Sequence, residues 1–442
     1  MTEHPTPAEL EALAEGRLEL SRVGLVVAHL LSGCKGCRHL LLPCFTAGEG
    51  EEETASSPQD LSAYDEPVRK AEEAVLLHGT RARKETKKVR KLLARLTEPG
   101  FSFSVPRYGR YAVYEALLAR SWQLRQDNPE EMVRSAWAAR WIASRMDSDF
   151  APEQVMDLQA RAEGEYGNAL RVADRLDEAE THLGLAFQLA ALGTGSPALE
   201  LRLQDLKASL LGTRHRYAEA VEVLDRIHAT HMAQGDRHGA GRALIAKGIN
   251  CGRGGDAVAA LTLLEQGQAM LDSGREPDLA RHALHNRLYF LVECGEFELA
   301  LNAAEANYAL LQEGGRLDRY KLQDIEGRIC AGLGALELAE DGLRRARDGF
   351  LTLGVFGHAA VVLLDLATVL LRQGRTFEAQ RAAAEALQTF TQLRLSDTQL
   401  EALLVLKNAL RAELLSVGLL QSLTDFLRRA EHDPAARYEP RF

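Results

Sequence analysis

Apolar and polar positions follow a helical period over most of the chain. Beyond residue 153, apolar residues recur at spacings of three and four, as in Ala220, Leu224 and Ile227. Proline, which breaks helix interiors, occurs between residues 153 and 429 only at Pro197 and Pro277. The pattern predicts long helices joined by short turns, and therefore an all-α fold.

The helical segments repeat along the chain. Six short segments align at the start of successive helices, and their last residues are Ala179, Ala220, Ala259, Ala300, Ala339 and Gln380. These residues are spaced 41, 39, 41, 39 and 41 apart. Most of the segments follow glycines, which can adopt the left-handed conformation that ends a helix: Gly212, Gly254, Gly255, Gly295, Gly334 and Gly374. Each unit is thus a helical hairpin, which buries its apolar face only against its neighbours.

This hairpin, with a small residue early in its second helix, resembles the tetratricopeptide repeat. Its period is near 40 rather than the roughly 34 residues of the standard repeat, and the Trp and Tyr positions of that consensus are not regularly filled. The resemblance implies a superhelix, or α-solenoid, over residues 153–432, capped by a last helix pair at 397–414 and 419–429. We expect its groove to receive a protein or peptide.

Three further segments precede the repeats. Residues 48–66 contain seven acidic and no basic residues, which predicts a flexible acidic linker. Residues 67–97 contain ten Lys or Arg against three Glu, and their apolar positions fall on one stripe, which predicts a basic amphipathic helical segment. Residues 108–152 hold all three Trp residues and are interpreted as degenerate helical repeats.

The first 47 residues contain the most specific chemical pattern. Twenty-four residues separate His4 from His29, and Cys34 and Cys37 follow at a spacing of three. Two imidazoles and two thiolates complete a tetrahedral Zn²⁺ site, and a closed set of this kind is structural rather than catalytic. Clustered Cys and His in a cytosolic chain indicate a metal more often than a disulfide.

These residues resemble the zinc-binding anti-sigma module, whose pattern is an upstream His or Cys, about two dozen residues, and then His-x3-Cys-x2-Cys. Here four residues rather than three separate His29 from Cys34, so Cys44 or His39 could replace a ligand. The resemblance covers residues 1–47 and implies a small helical zinc-binding module with a sigma factor as its partner. The alternative is a helix pair with reduced thiols and no metal.

Two histidine pairs in the repeats are weaker candidates for a metal site. His228 with His231, and His282 with His285, could each share one face of a helix. No carboxylate or cysteine lies at a spacing that would complete a site, so we interpret them as surface or interface histidines.

Composition limits the remaining classes of function. The net charge of −10 disfavours a general nucleic-acid binder. Nucleic-acid contact through the basic segment 67–97 is an alternative hypothesis. The glycine-rich segment 193–197 lacks the Lys-Ser or Lys-Thr of a phosphate-binding loop, and motifs for a nucleophile elbow or a zinc peptidase are absent. We therefore expect no enzymatic activity.

The remaining expectations concern location and partner. No apolar run reaches the length of a membrane span, and the N-terminus lacks the features of a secretory signal, so we expect a cytoplasmic protein without membrane association. The leading hypothesis is a cytosolic regulatory adaptor or scaffold that binds a protein partner and carries a zinc-stabilised N-terminal module. The alternatives are a soluble anti-sigma-like regulator and nucleic-acid contact through the basic segment.

Overall fold

The computed structural model describes residues 4–14, 18–31, 37, 110–125, 128–146, 150–272, 274–393, 395–433 and 435–438. These residues form helices and turns, with no strand among them. The chain divides into two compact units, Met1–Met146 and Asp147–Phe442. The predicted linker 48–66 and the basic segment 67–97 lie outside the described residues.

The first unit contains two helix pairs in its described part. α1 (Pro7–Ala14) and α2 (Leu20–Leu31) form the first pair, and α3 (Arg110–Gln123) and α4 (Pro129–Ala143) form the second. In the second pair, the hydroxyl of Ser121 donates to the carbonyl oxygen of Met132 at 3.1 Å. Buried apolar side chains, including Tyr114, fill the space between α3 and α4.

The second unit consists of successive antiparallel helix pairs. The first helices of the pairs are α5 (Pro152–Val172), α7 (Pro197–Thr213), α9 (Arg237–Arg253), α11 (Pro277–Glu293), α14 (Arg316–Gly332) and α16 (Phe356–Arg372). The second helices are α6 (Leu176–Ala190), α8 (Tyr217–Ala233), α10 (Ala257–Met270), α12 (Phe297–Ala306) with the short α13 (Tyr308–Gln312), α15 (Leu336–Thr352) and α17 (Thr376–Phe390). A last pair follows, α18 (Asp397–Arg411) and α19 (Val417–His432).

The turn inside each of the six pairs has one recurring geometry. A residue with positive φ ends each first helix, and these residues are Asp174, His215, Gly255, Gly295, Gly334 and Gly374. The amide after it donates to a carbonyl five residues earlier, as from Asp256 to Cys251 at 3.0 Å, which satisfies a carbonyl at the helix end. Glycine is therefore required less strictly than the sequence pattern predicted, because Asp and His occupy the first two turns.

Gly212 and Gly254 have other roles than the expected left-handed cap. Gly212 lies inside α7, where a Cβ atom would stand 2.6 Å from the side-chain oxygen of Asn250. Its missing side chain allows α7 and α9 to approach each other. Gly254 has a φ of −76°, and its neighbour Gly255 takes the left-handed conformation.

The small residue that packs each hairpin lies five positions after the left-handed residue. The buried set is Ala179, Ala220, Ala260, Ala300, Ala339 and Ala379, spaced 41, 40, 40, 39 and 40 residues apart. Two predicted anchors were therefore one residue out of register: Ala259 and Gln380 are only half-buried. The aligned segments fix the period, whereas the side of the helix that faces its partner depends on the turn geometry.

The last pair was expected to cap the array, and its second helix packs back onto the sixth pair. Leu420, Leu423, Phe426 and Leu427 are buried in one cluster with apolar residues of α16 and α18. The residues after α19 continue this packing, since the Tyr438 ring lies edge-on to Phe426 with centroids 5.4 Å apart. Among the helices of the described ranges, none combines the length and apolar character that a membrane span requires.

Candidate functional site

The structure brings three of the four predicted zinc ligands together. α1 begins with a capping box, in which the Thr6 hydroxyl accepts from the Glu9 amide at 3.2 Å and the Glu9 carboxylate accepts from the Thr6 amide at 2.9 Å. The Thr6 amide and the Arg22 guanidinium lower the pKa of Glu9 below its usual range. Arg22 lies on α2, so the 2.7 Å ion pair between Glu9 and Arg22 joins the two helices.

His4 lies two residues before the capping residue Thr6, and His29 lies in the last turn of α2. The two imidazole rings meet edge to face, with centroids 4.9 Å apart. His4 Nδ1 lies 3.3 Å from Cys37 Sγ, and one donor atom from each of His4, His29 and Cys37 lies within 4.8 Å of the others. Cys34, Cys44 and His39 fall outside the described residues.

This spacing fits a tetrahedral metal. Zn–N bonds of about 2.0 Å and Zn–S bonds of about 2.3 Å place neighbouring donor atoms about 3.3 to 3.8 Å apart. His29 and Cys37 are both buried, and Cys37 also belongs to the small apolar core made with Leu10, Val23 and Val26. Two imidazoles and one thiolate suit Zn²⁺, and a fourth ligand would close the set. Within the described part of the chain, these residues form the one cluster of three or more metal-ligand side chains.

The histidine pairs of the repeats do not form comparable clusters. His228 Nδ1 lies 3.1 Å from the carbonyl oxygen of Ala240, and His231 Nδ1 lies 3.0 Å from Asp236, so the first pair points at separate partners. His285 is half-buried on α11, and desolvation lowers its pKa to about 4.

A second candidate site lies on the first helices of the pairs, opposite the second helices. Tyr289 and Glu293 on α11, Asp324 and Arg328 on α14, and His358 and Asp365 on α16 all lie near the C-terminal half of α19. The first helices are α5, α7, α9, α11, α14 and α16, and we call the side of them that faces away from the second helices the inner face. α19 has 16 residues and is about 24 Å long, so it can approach several pairs only if the array curves around it.

Helical periodicity extends this face along α11, and ion pairs extend it to the first two pairs. Positions three, four and seven residues before Glu293 are Phe290, Tyr289 and Asn286, and of these Tyr289 and Asn286 are half-buried. On α5 and α7, Arg202 forms a bidentate ion pair with Glu165, at 2.7 and 3.0 Å, and also binds Asp205 at 3.0 Å. The inner face is thus strongly polar, in contrast to the apolar layer between the helices of each pair.

Arg428 of α19 is the centre of the charged groups on the inner face. Its guanidinium pairs with the carboxylate of Asp365, 63 residues earlier, and both side chains are largely buried. Burial alone would lower the pKa of Arg428, but Asp365, Asp324 and Glu293 together raise it above its usual value. Arg328 binds Glu293 at 2.5 Å and lies over the Tyr289 ring, 5.6 Å from its centroid.

Burial raises the pKa of Asp324 to about 6, against the opposing effect of Arg328 and Arg428. Burial likewise raises the pKa of Tyr289 to about 12. Sequence reasoning missed this cluster. One signal was present: Asp365 is the single charged residue in the apolar stretch 359–371, where an ionised side chain requires a partner. The partner itself lies too far along the chain for any local pattern to identify it.

Comparison with known proteins places the fold but not the family. No family model matches the sequence, and no curated protein matches it. Similar solved structures include a Rap protein complexed with Competence and Sporulation Factor, at 13% identity and a TM-score of 0.52, covering 72% of this chain and 87% of that chain. The apo form of RapI is also similar, at 12% identity and a TM-score of 0.47, covering 63% of this chain and 99% of that chain. Aspartyl phosphate phosphatase F from Bacillus subtilis is similar at 13% identity and a TM-score of 0.49, covering 90% of this chain and 99% of that chain.

The chain has a tetratricopeptide-like helical-repeat fold. The likeness to the Rap protein complex, together with the helix pairs of the second unit, confirms the predicted α-solenoid. At 13% identity this likeness concerns the fold alone. The N-terminal resemblance to the anti-sigma module stays a prediction, as does nucleic-acid contact through residues 67–97.

Proposed function

We propose that the chain is a cytoplasmic regulatory adaptor, without catalytic activity, that binds a protein or peptide on the inner face of its helical-repeat unit. The observation that carries this proposal is the row of charged and polar side chains on successive first helices, from Arg202 and Glu165 to Asp324 and Asp365. Each pair contributes side chains at a regular interval, which suits a polypeptide that lies along the array. The Rap protein of similar fold, crystallised with Competence and Sporulation Factor, provides a precedent.

Site-specific photo-crosslinking tests this proposal. A photoreactive amino acid replaces Asn286 on the inner face, and in a matched variant it replaces Gln266, which is exposed on the second helix α10. We expect a distinct crosslinked polypeptide from position 286 and none from position 266, with its identity read by mass spectrometry. The same products from both positions, or none from position 286, would contradict binding on the inner face.

We further propose that zinc stabilises the N-terminal module through His4, His29, Cys34 and Cys37, with Cys44 or His39 as the substitute if Cys34 is not a ligand. The close approach of His4, His29 and Cys37 supports this assignment. A segment this short has a small apolar core, and structural zinc contributes about 10 to 16 kcal/mol to comparable modules. Elemental analysis of the purified chain should give one zinc per chain, which His29→Ala or Cys37→Ser removes.

Sigma-factor binding by this module is a second candidate function. The observation that favours it is the same cluster, because its residues are those on which the resemblance to the anti-sigma module rests. Co-purification with a sigma factor that is lost in His29→Ala and Cys37→Ala, but retained in the exposed variant Glu19→Ala, would support it. A zinc-loaded module that retains no sigma factor would leave zinc as a structural element alone.

A further inference from the structure

The inner face already binds one side chain of the protein itself, Arg428 of α19. Arg428 Nη2 and Nη1 both approach the Asp365 carboxylate, the latter at 3.5 Å from Oδ1, in the forked arrangement that guanidinium makes with carboxylate. The Arg428 side chain is 10% exposed. Its neighbour Arg429 is exposed, and its side chain donates to the carbonyl oxygen of Asp425 within the same helix.

The surrounding carboxylates exceed what one ion pair requires. Glu293, Asp324 and Asp365 come from three successive first helices, and their negative charges stabilise the charge of Arg428; of these, Asp365 pairs with it directly. Arg328, which binds Glu293, is the second cation of this group. With Arg428 removed, three carboxylates would face the single guanidinium of Arg328. The excess of negative charge means that this site favours binding of a second cation.

Asp324 provides an independent sign of unused binding capacity. Its Oδ1 atom is buried and has no hydrogen-bond partner among the described residues, and the same holds for Nη1 of Arg328, four residues later on α14. Buried carboxylate oxygens in folded proteins are normally hydrogen-bonded. One oxygen of this site is therefore left without the donor that such a group requires.

α19 lies where a polypeptide bound to the inner face would lie. Its apolar side holds it to α16 and α18, and its C-terminal end reaches the second pair, where the Tyr217 hydroxyl donates to the carbonyl oxygen of His432 at 2.9 Å. His215 in the turn of the second pair and Arg253 at the end of α9 in the third pair both affect the pKa of His432 through their charges. The helix thus spans the inner face from the sixth pair to the second.

We propose that Glu293, Asp324 and Asp365 form a guanidinium-binding subsite of the inner face, that Arg428 fills it in cis, and that the polypeptide partner carries an arginine that competes for it. This inference rests on the proposed function, since it specifies the partner of the same face. Arginine fits better than lysine because the fork of two N–H groups matches a carboxylate, whereas an ammonium provides a single point of charge. The occupant seen here is a helix, so the partner is a segment of polypeptide rather than a small cation.

Chemical rescue of Arg428→Ala in the full chain tests the subsite. The variant keeps Leu420, Leu423, Phe426 and Leu427, which hold α19 in place, and leaves a space of guanidinium size. Millimolar ethylguanidinium should raise the melting temperature of Arg428→Ala but not that of the wild type or Arg429→Ala, and ethylammonium should have less effect. The rescue should disappear in Arg428→Ala/Asp365→Asn.

Rescue by ethylammonium to the same extent, or equal shifts in all variants, would overturn the subsite. Should Arg428→Ala fail to fold, Arg428→Lys keeps the charge without the fork and is measured in the same way. It should be less stable than the wild type because an ammonium cannot make the fork to Asp365, and equal stability would overturn the subsite.

A labelled peptide of residues 417–438 tests competition for the inner face. Because α19 covers this surface in the wild type, the peptide is titrated against Leu423→Asp/Phe426→Asp, in which the buried apolar contacts of α19 are broken. We expect it to bind this variant at least tenfold more tightly than the wild type or Arg429→Ala, and we expect the same peptide with Arg428→Ala to lose this gain. Equal binding of both peptides would overturn the role of arginine. The peptide could bind as expected while position 286 yields no crosslink. The proposed function would then fail, and so would the inference of an arginine-bearing partner, because the subsite would serve only the chain's own helix.

Discussion

The hydroxyl of Tyr217 donates to the carbonyl oxygen of His432, at 2.9 Å and across 215 residues of sequence. Tyr217 opens the second helix of the second pair, and His432 ends the last helix of the array. The bond closes α19 over the inner face and satisfies one of the carbonyl groups that a helix end leaves without an intrahelical donor. It connects parts of the second unit that share no local sequence relationship.

Removing this hydroxyl should loosen the end of α19. Tyr217→Phe keeps the ring and leaves the His432 carbonyl without its donor, so we expect a loss of about 1 kcal/mol in the free energy of unfolding. Hydrogen exchange should accelerate in the last turn of α19. Tyr308→Phe is the matched control because Tyr308 is exposed. Unchanged exchange at residues 428–432 would show that the bond does not hold the helix end.

The ion pair between Asp365 and Arg428 should be important for stability because it is buried. Asp365→Asn leaves a buried guanidinium without its closest counter-charge, and breaking such a pair costs about 3 to 5 kcal/mol. The exposed pair between Asp341 and Arg345 provides the control. Asp341→Asn should cost about 0.5 kcal/mol or less in the same urea titration. Similar losses in the two variants would contradict the burial argument.

Asp324 should produce a distinctive pH dependence. Burial raises its folded-state pKa to about 6, above the ordinary 3.8, so between these values the folded chain holds a proton that the unfolded chain releases. The stability contributed by this group is therefore fully present below about pH 4 and is lost as pH rises through 6. As the pH rises from 4 to 7, the free energy of unfolding of the wild type should fall relative to that of Asp324→Asn, as measured by urea unfolding at each pH. A difference that does not change from pH 4 to 7 would contradict the raised pKa.

The register of the packing residues can be tested directly. Ala260→Leu adds volume at a fully buried contact between α9 and α10, and overpacking of this kind costs about 1 to 3 kcal/mol. Ala259→Leu, one residue earlier and half-buried, should cost less. Thermal unfolding of the two variants compares the positions within one helix. A larger loss from Ala259→Leu would restore the register expected from the sequence.

Much of the second unit follows from local sequence. Residues at spacings of three and four specify the helices, and a period near 40 specifies the hairpins, because each pair contacts mainly its neighbours. The helix ends were less well predicted. Asp174 and His215 adopt the left-handed conformation without glycine, and Gly212 serves a close approach between helices instead.

The N-terminal candidate ligands could also be identified from sequence, since the residue types that bind zinc are few and their spacing is short. That His4 approaches Cys37 across 33 residues depends on how α1 and α2 fold against each other. Four residues rather than three separate His29 from Cys34, so the spacing alone did not identify the fourth ligand.

The sequence by itself determined the helical class, the repeat period and the residues able to hold a metal, because each is encoded in neighbouring positions. Only the tertiary structure decided which charges meet on the inner face. Arg428 and Arg429 are equivalent in sequence, yet one is buried against Asp365 and the other is exposed. The difference arises because one side of α19 packs on α16, and that side places Arg428 rather than Arg429 against Asp365.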